Sequence, residues 1–321
     1  MRGSSATLCG AKADMNEPSL DRQGTRRADS LYVARLATAP ETRFLVIGGE
    51  KPAIISNETR TRAELRWFDA AELGRLGIAT GAAIFLGTDA ETGAGRFAVA
   101  IGERELELAE ATRAALAPLV DVRSLAMQGV MSAAELALAA QAKSLALWHA
   151  ANRHCGRCGA LNAAADGGWR RVCPACGGET FPRVDPVVVM LVTDGTTRCV
   201  LARSGPFPLG VYSALAGFVE PGEDLAGAIR RETAEEVGVT VGEVTFIASQ
   251  AWPFPHSLML GCLAAAESHE IVIEPTEIEA ARWFSREEVA QMLACTHPEG
   301  LRAPGREAIA NWLIRHWLAS G

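Results

Sequence analysis

The sequence predicts an α/β protein with two α/β domains and a small four-cysteine module between them. Three observations carry this. Between Leu31 and about Gly129, short apolar segments (Phe44 to Gly48, Ala53 to Ser56, Ala82 to Gly87, Phe97 to Ile101) alternate with turn residues and two helix-like stretches. Cys155, Cys158, Cys173 and Cys176 form two close pairs. From Val187 to Val192 the chain is apolar without interruption, as a strand covered on both faces is.

In chain order, residues 1–30 mix Gly, Ser, Asp and Arg without apolar periodicity and are expected to be a mobile tail. Residues 31–131 form the first α/β domain. Ser132 and Glu135 have capping-box spacing, so 132–151 reads as one Ala/Leu-rich helix linking that domain to the cysteines. The module occupies 152–183 and the second α/β domain 184–321, with no internal repeat visible.

Composition excludes more than it assigns. The chain has 321 residues, 49% of them apolar, enough for two cores. A net charge of −7 offers no general attraction to nucleic acid or an anionic membrane, so phosphate recognition must be local. No signal peptide or apolar run of spanning length is visible, and Cys9, Cys199, Cys262 and Cys295 stand apart, which points to a reducing cytoplasm rather than a disulfide framework.

Fourteen residues separate Cys155-Gly-Arg-Cys158 from Cys173-Pro-Ala-Cys176. Each pair can set two thiolates on one ion, and four sulfurs make a closed tetrahedral Zn2+ site with no position for water. Such zinc is structural. The competing reading is a thiol-rich knuckle without metal. Arg153, Arg157, Arg170, Arg171 and Arg183 make the neighbourhood basic, which suits RNA phosphates or simply a solvated face.

The most specific segment is Gly217-Phe-Val-Glu-Pro-Gly-Glu223, then seven residues, then Arg231-Glu232-Thr233-Ala234-Glu235-Glu236-Val237-Gly238-Val239. Pro221-Gly222 opens a helix and Gly238 stops it. Glu232, Glu235 and Glu236 then share roughly one quadrant of the helix and repel one another. Hard divalent cations, Mg2+ or Mn2+, relieve that repulsion and can activate water against a pyrophosphate. A plain solvated acidic helix is the alternative.

This segment fits G-x5-E-x7-R-E-U-x-E-E-x-G-U except at Thr233, and it resembles the Nudix hydrolase family. The resemblance implies that Glu232 and Glu236 bind metal, that Glu235 is a ligand or the base, and that the Ala216 carbonyl is a further ligand. It implies that Glu223 and Arg231 brace the helix. It also makes the second domain a Nudix α/β/α sandwich and the module a zinc ribbon.

Within that family, Ser249-Gln250-Ala251-Trp252-Pro253-Phe254-Pro255-His256-Ser257 resembles the SQPWPFPxS element of NADH pyrophosphatases, departing at Ala251. Its prolines set the geometry of Trp252 and Phe254 as a recognition wall; the alternative is a hydrophobic turn packed on the core. By the same resemblance Glu277 is another acidic ligand, with Glu274 and Glu279 as neighbours in reserve, and Ala308, after Pro304-Gly305, touches ligand. Phe181 and Phe218 map to an adenine clamp whose rings come from different subunits of a homodimer; core packing of both is the alternative. The implied reaction converts NADH or NAD+ to nicotinamide mononucleotide and AMP, with NAD-capped RNA as a larger substrate. A broader hydrolase of ADP-ribose, FAD or diadenosine polyphosphates, and a zinc-ribbon RNA-binding module without turnover, are the competing readings.

Overall fold

A computed structural model describes residues 20–102, 116–195, 197–205 and 207–320. The tail expected for residues 1–30 lies outside this range up to residue 19. Beyond it, Leu20–Asp21 pairs with Ile84–Asp89, and Asp29 caps the helix Ser30–Thr38.

The apolar run in the second domain becomes the strand Asp185–Thr193, at the centre of a mixed sheet. The sheet order is Val241–Trp252, Ser257–Ala266, Asp185–Thr193, Arg198–Arg203, Ala280–Ser285, with Leu215–Phe218 also paired to the central strand. The central pair is parallel. Alternation explains the unbroken apolarity: Val188, Met190 and Val192 face the core under the helix Leu225–Val237, while Val189 and Leu191 face the core under the helix Ile309–Ala319. Both faces are covered, so no residue of the run meets water.

The first domain is built on the same plan. Arg43–Gly48 and Gly95–Ile101 form its parallel pair, Ile84–Asp89 runs antiparallel beside the second of them, and two short strands flank the first. Leu45 and Ile47 face a core that includes Leu138, Ala142 and Leu145, so the helix Ala133–Ala151 is a layer of this domain as well as a link. Phe44 and Val46 face the other core, with Tyr32 and Leu73. The two sheets share this inner arrangement, although no sequence repeat announces it, and differ at their edges, where Leu20–Asp21 extends the first and Ala280–Ser285 the second.

Ser132 caps Ala133–Ala151 as its spacing implies. Glu135 does not complete the capping box: its carboxylate accepts from the Leu65 N–H at 3.1 Å and ties the helix to the sheet. Among the described residues, no helix is long and apolar enough to cross a membrane.

Candidate functional site

The two cysteine knuckles are copies of one turn. Cys155 N donates to Ala160 O and Gly159 N to Cys155 O; Cys173 N donates to Gly178 O and Gly177 N to Cys173 O. Gly159 and Gly177 hold positive φ angles of 77° and 70° at the tips. The four sulfurs lie within 4.8 Å of one another, with 3.6 Å from Cys155 to Cys176 and 3.5 Å from Cys158 to Cys173. Sulfurs on one zinc at tetrahedral angles stand about 3.8 Å apart, so the cage fits the ion. Backbone N–H groups, Arg157 first, lower the Cys155 thiol to about 6.

The ribbon is fastened to the first domain. Trp169 Nε1 donates to Phe85 O at 2.7 Å, and a Cβ at Gly167 or Gly168 would press on Phe85 or Ile84 at 3.0 Å. His149 meets Gly168 O at 2.7 Å through Nε2 and Arg171 at 2.7 Å through Nδ1; burial first, then Arg171, lowers its pKa and keeps the imidazole neutral. Of the basic cluster, Arg170, Arg171 and Arg183 are thus engaged within the protein, Arg170 with Asp166 and Glu179, Arg183 with Asp185.

The carboxylate helix spans Leu225–Val237, from the Asp224 side-chain cap to Gly238 in the left-handed region. One guanidinium organises its acids. Arg231 grips Glu223 at 2.7 and 2.9 Å, reaches Glu232 at 2.9 Å and Glu235 at 2.8 Å, and donates to the Phe218 carbonyl at 2.8 Å. That fork holds Glu223 down at about 2 and ties the helix to the loop that precedes it. Glu223 and Arg231 are thus in direct contact, Glu223 in the loop and Arg231 on the helix.

Glu236 is different. It is 7% exposed, its Oε2 is buried without a partner, and burial, then Glu232 and Glu277, push its pKa up to about 8, with only the Ala216 N–H favouring the charged form. Burial also raises Glu232 against the pull of Arg231. Two half-desolvated carboxyls beside a third are a poor arrangement for a solvated helix and a suitable one for a hard cation with oxygen ligands. Among the described residues only the cysteine cage brings its donor atoms within 4.8 Å; the acids are drawn toward Arg231 instead.

The end of this helix explains how Glu277 joins it. Val237 and Glu236 carbonyls accept from Val272 N at 2.9 Å and Glu274 N at 3.1 Å, so the 272–277 segment docks on the helix terminus. Glu277 then interacts with both Glu232 and Glu236. Its neighbours are committed elsewhere: Glu274 to Thr276 at 2.9 Å, Glu279 to Arg203 at 2.9 Å. Thr233, the departure from the motif, is fully buried with its hydroxyl unpartnered.

The 250–257 segment divides into parts. Ala251, Trp252, Pro253, His256 and Ser257 line a cavity of about 410 Å3, whose other walls include Leu138, Leu145, Trp169 and Arg183. Gln250 turns away: it accepts from Ile309 N at 2.8 Å and donates to Glu307 O at 2.8 Å, capping the helix that Ala308 opens without a side chain able to do so. Phe254 sits behind Trp252, edge to face at 5.1 Å, against the core of the first domain. The Pro255 carbonyl accepts from Ser144. His256 Nδ1 lies 3.1 Å from Asp185.

Phe181 and Phe218 are 59% and 58% exposed, so neither serves as core. Phe218 pairs with Val187 at the end of the central strand, beside the carbonyl that Arg231 holds. Sequence reasoning missed Trp169 and the helix 133–151 as cavity walls, because nothing local marks a contact between segments a hundred residues apart.

Three family models match in succession: an NADH pyrophosphatase-like rudimentary NUDIX domain over residues 41–148, an NADH pyrophosphatase zinc ribbon domain over 150–181 and a NUDIX domain over 183–308. The NAD-capped RNA hydrolase NUDT12 of Macaca fascicularis is 46% identical over 194 residues, 57% of this chain but only 42% of that relative, so the chain spans less than half its length. The NAD-capped RNA hydrolase NudC of Mycobacterium bovis (strain BCG / Pasteur 1173P2) is 40% identical over 224 residues, 65% of this chain and 71% of the relative. The crystal structure of a NUDIX hydrolase from Nitrosomonas europaea superposes with a TM-score of 0.42 at 20% identity, over 52% of this chain and 91% of that one. The chain belongs to the Nudix hydrolase family, in the group that joins a rudimentary Nudix domain, an NADH pyrophosphatase zinc ribbon and a full Nudix domain.

Proposed function

We propose that this protein hydrolyses the pyrophosphate of NADH and NAD+ to nicotinamide mononucleotide and AMP, and removes NAD caps from RNA through the same site. The observation that carries the reading is Glu236: a buried carboxyl with an unpartnered oxygen, raised to about 8 by burial and by Glu232 and Glu277, on a helix that Arg231 fixes. Glu232, Glu236, Glu277 and the Ala216 carbonyl would hold Mg2+ or Mn2+, and Glu235 serves as a further ligand or as the base. Divalent cations bound there supply charge neutralisation of the pyrophosphate and a more acidic water. In hydrolysis the water oxygen bonds to one phosphorus, the anhydride bond breaks, the bridging oxygen leaves with the other phosphate, and the water proton passes to the base.

Selectivity comes from the walls. The cavity beside Trp252 receives one nucleoside end, and the exposed rings of Phe181 and Phe218 stack the adenine of the other. A homodimer brings these two rings together from different subunits. Zinc in the ribbon is structural, and its thiolates suit a reducing cytoplasm.

The test is product analysis with NADH, NAD+ and NAD-capped RNA in Mg2+ or Mn2+. Equal kcat/KM for ADP-ribose, FAD or diadenosine polyphosphates would replace the reading with a broader dinucleotide hydrolase. Binding of RNA without turnover would replace it with a binding module.

A further inference from the structure

Lys143 is a buried cation for which the site has so far given no reason. It is 3% exposed on the helix Ala133–Ala151, among Leu and Ala side chains of the first core. Its ammonium lies 3.2 Å from Glu50 and 3.9 Å from Asp121. Where packing alone is needed, a leucine or methionine fills such a position without desolvating a charge. The ammonium also lies 5.3 Å from the centroid of the Phe254 ring.

A second cation meets the same ring. Arg123 stands 4.9 Å from Phe254 and 5.8 Å from Trp252. Asp121 joins the two cations, because it caps the helix Val122–Gln128 that carries Arg123 while its other oxygen faces Lys143. Phe254 in turn backs Trp252 edge to face, and Ser144, next to Lys143, donates to the Pro255 carbonyl at 3.0 Å.

We propose that Lys143 is a positioning residue: with Arg123 it brackets Phe254 against the first domain and so fixes Trp252 in the cavity wall. The rudimentary domain, which carries no carboxylate helix of its own among the described residues, thereby contributes the seat of the substrate loop. This rests on the reading of the cleft as the dinucleotide site. A cation–ring attraction strengthened by desolvation holds the ring itself, in a loop otherwise tied at Pro255 and His256.

Lys143→Met keeps the stem and removes the charge. Amide hydrogen exchange across 252–256 is expected to rise about tenfold, and KM for NADH about tenfold with a smaller change in kcat. Lys143→Arg should restore both. A lysine that only stabilises the core would lower Tm while KM and the relative exchange of 252–256 stay at wild-type values, and that result overturns the proposal. If Lys143→Met does not fold, Phe254→Leu retains apolar burial without the ring and should show the same two changes; neither appearing overturns the proposal equally. Exchange is read without turnover, so a wild-type protein inert toward NADH would sink the functional reading and still leave the bracket decided.

Discussion

The carboxylate of Glu232 occupies the space over Gly217: a Cβ at residue 217 would lie 1.8 Å from Glu232 Cδ. The first glycine of the motif is therefore a steric requirement of its glutamate, 15 residues later in the chain. Gly217→Ala should push Glu232 off its position beside Arg231 and lower turnover about 100-fold, since displacements of roughly 1 Å at a reacting site have that effect. Steady-state kinetics at saturating Mg2+ checks this; a near wild-type kcat contradicts it.

Glu236 makes stability depend on pH when divalent cation is withheld. Its folded pKa is raised from 4.5 to about 8, so across that window the folded chain keeps a proton that the unfolded chain has released. The stabilisation is fully present below 4.5 and is lost as pH rises through 8, on the order of a few kcal/mol. In zinc-loaded protein without Mg2+, Tm should fall from pH 5 to pH 8, Glu236→Gln should flatten the slope, and added Mg2+ should stabilise the wild type more at pH 8 than at pH 5. Superimposable Tm profiles for the two proteins would refute the assignment.

Zinc should matter beyond its ribbon. Because Trp169 bonds to Phe85 and Gly167 packs on the same residue, loosening the cage loosens the edge of the first domain and a wall of the cavity. Cys173→Ser is expected to purify without stoichiometric zinc and to melt roughly 10 °C lower or more, with no rescue by Mg2+. Metal analysis that finds no zinc in the wild type would remove the basis of this prediction.

The exposed rings allow a clean test of substrate contact. Phe181 contributes little to either core, so Phe181→Ala should leave Tm near wild type while raising KM for NADH about tenfold or more, and Phe181→Tyr should be tolerated. An unchanged KM in protein that still binds zinc would move adenine recognition to the loop around Trp252.

What was legible in the sequence was local. The cysteine knuckles, the spacing of Glu232 and Glu236, and the two-faced strand at Val187 to Val192 each follow from residues a few positions apart, whereas the pairing of Arg231 with Glu223, which lies outside the helix, was implied only by the resemblance to the Nudix motif. What stayed hidden depends on contacts distant in sequence. Gln250 reads as a ligand contact but caps the helix at Ile309; Phe254 reads as part of the wall but stands behind it, on Arg123 and Lys143. The shared inner sheet of the first domain was invisible for the same reason: strand order is a long-range property, and the helix Ala70–Arg75, which follows its short strand as Leu225–Val237 follows Leu215–Phe218, does not carry the acidic motif.

The most direct measurement is product analysis of NADH and NAD-capped RNA incubated with wild type and Glu236→Gln in Mg2+ or Mn2+. The expected products are AMP and reduced nicotinamide mononucleotide from NADH and nicotinamide mononucleotide from the capped RNA, with strict dependence on added divalent cation and turnover lower by orders of magnitude in Glu236→Gln. Hydrolysis by Glu236→Gln at the wild-type rate, or wild-type protein that leaves both substrates intact with cation present, would contradict the proposed function.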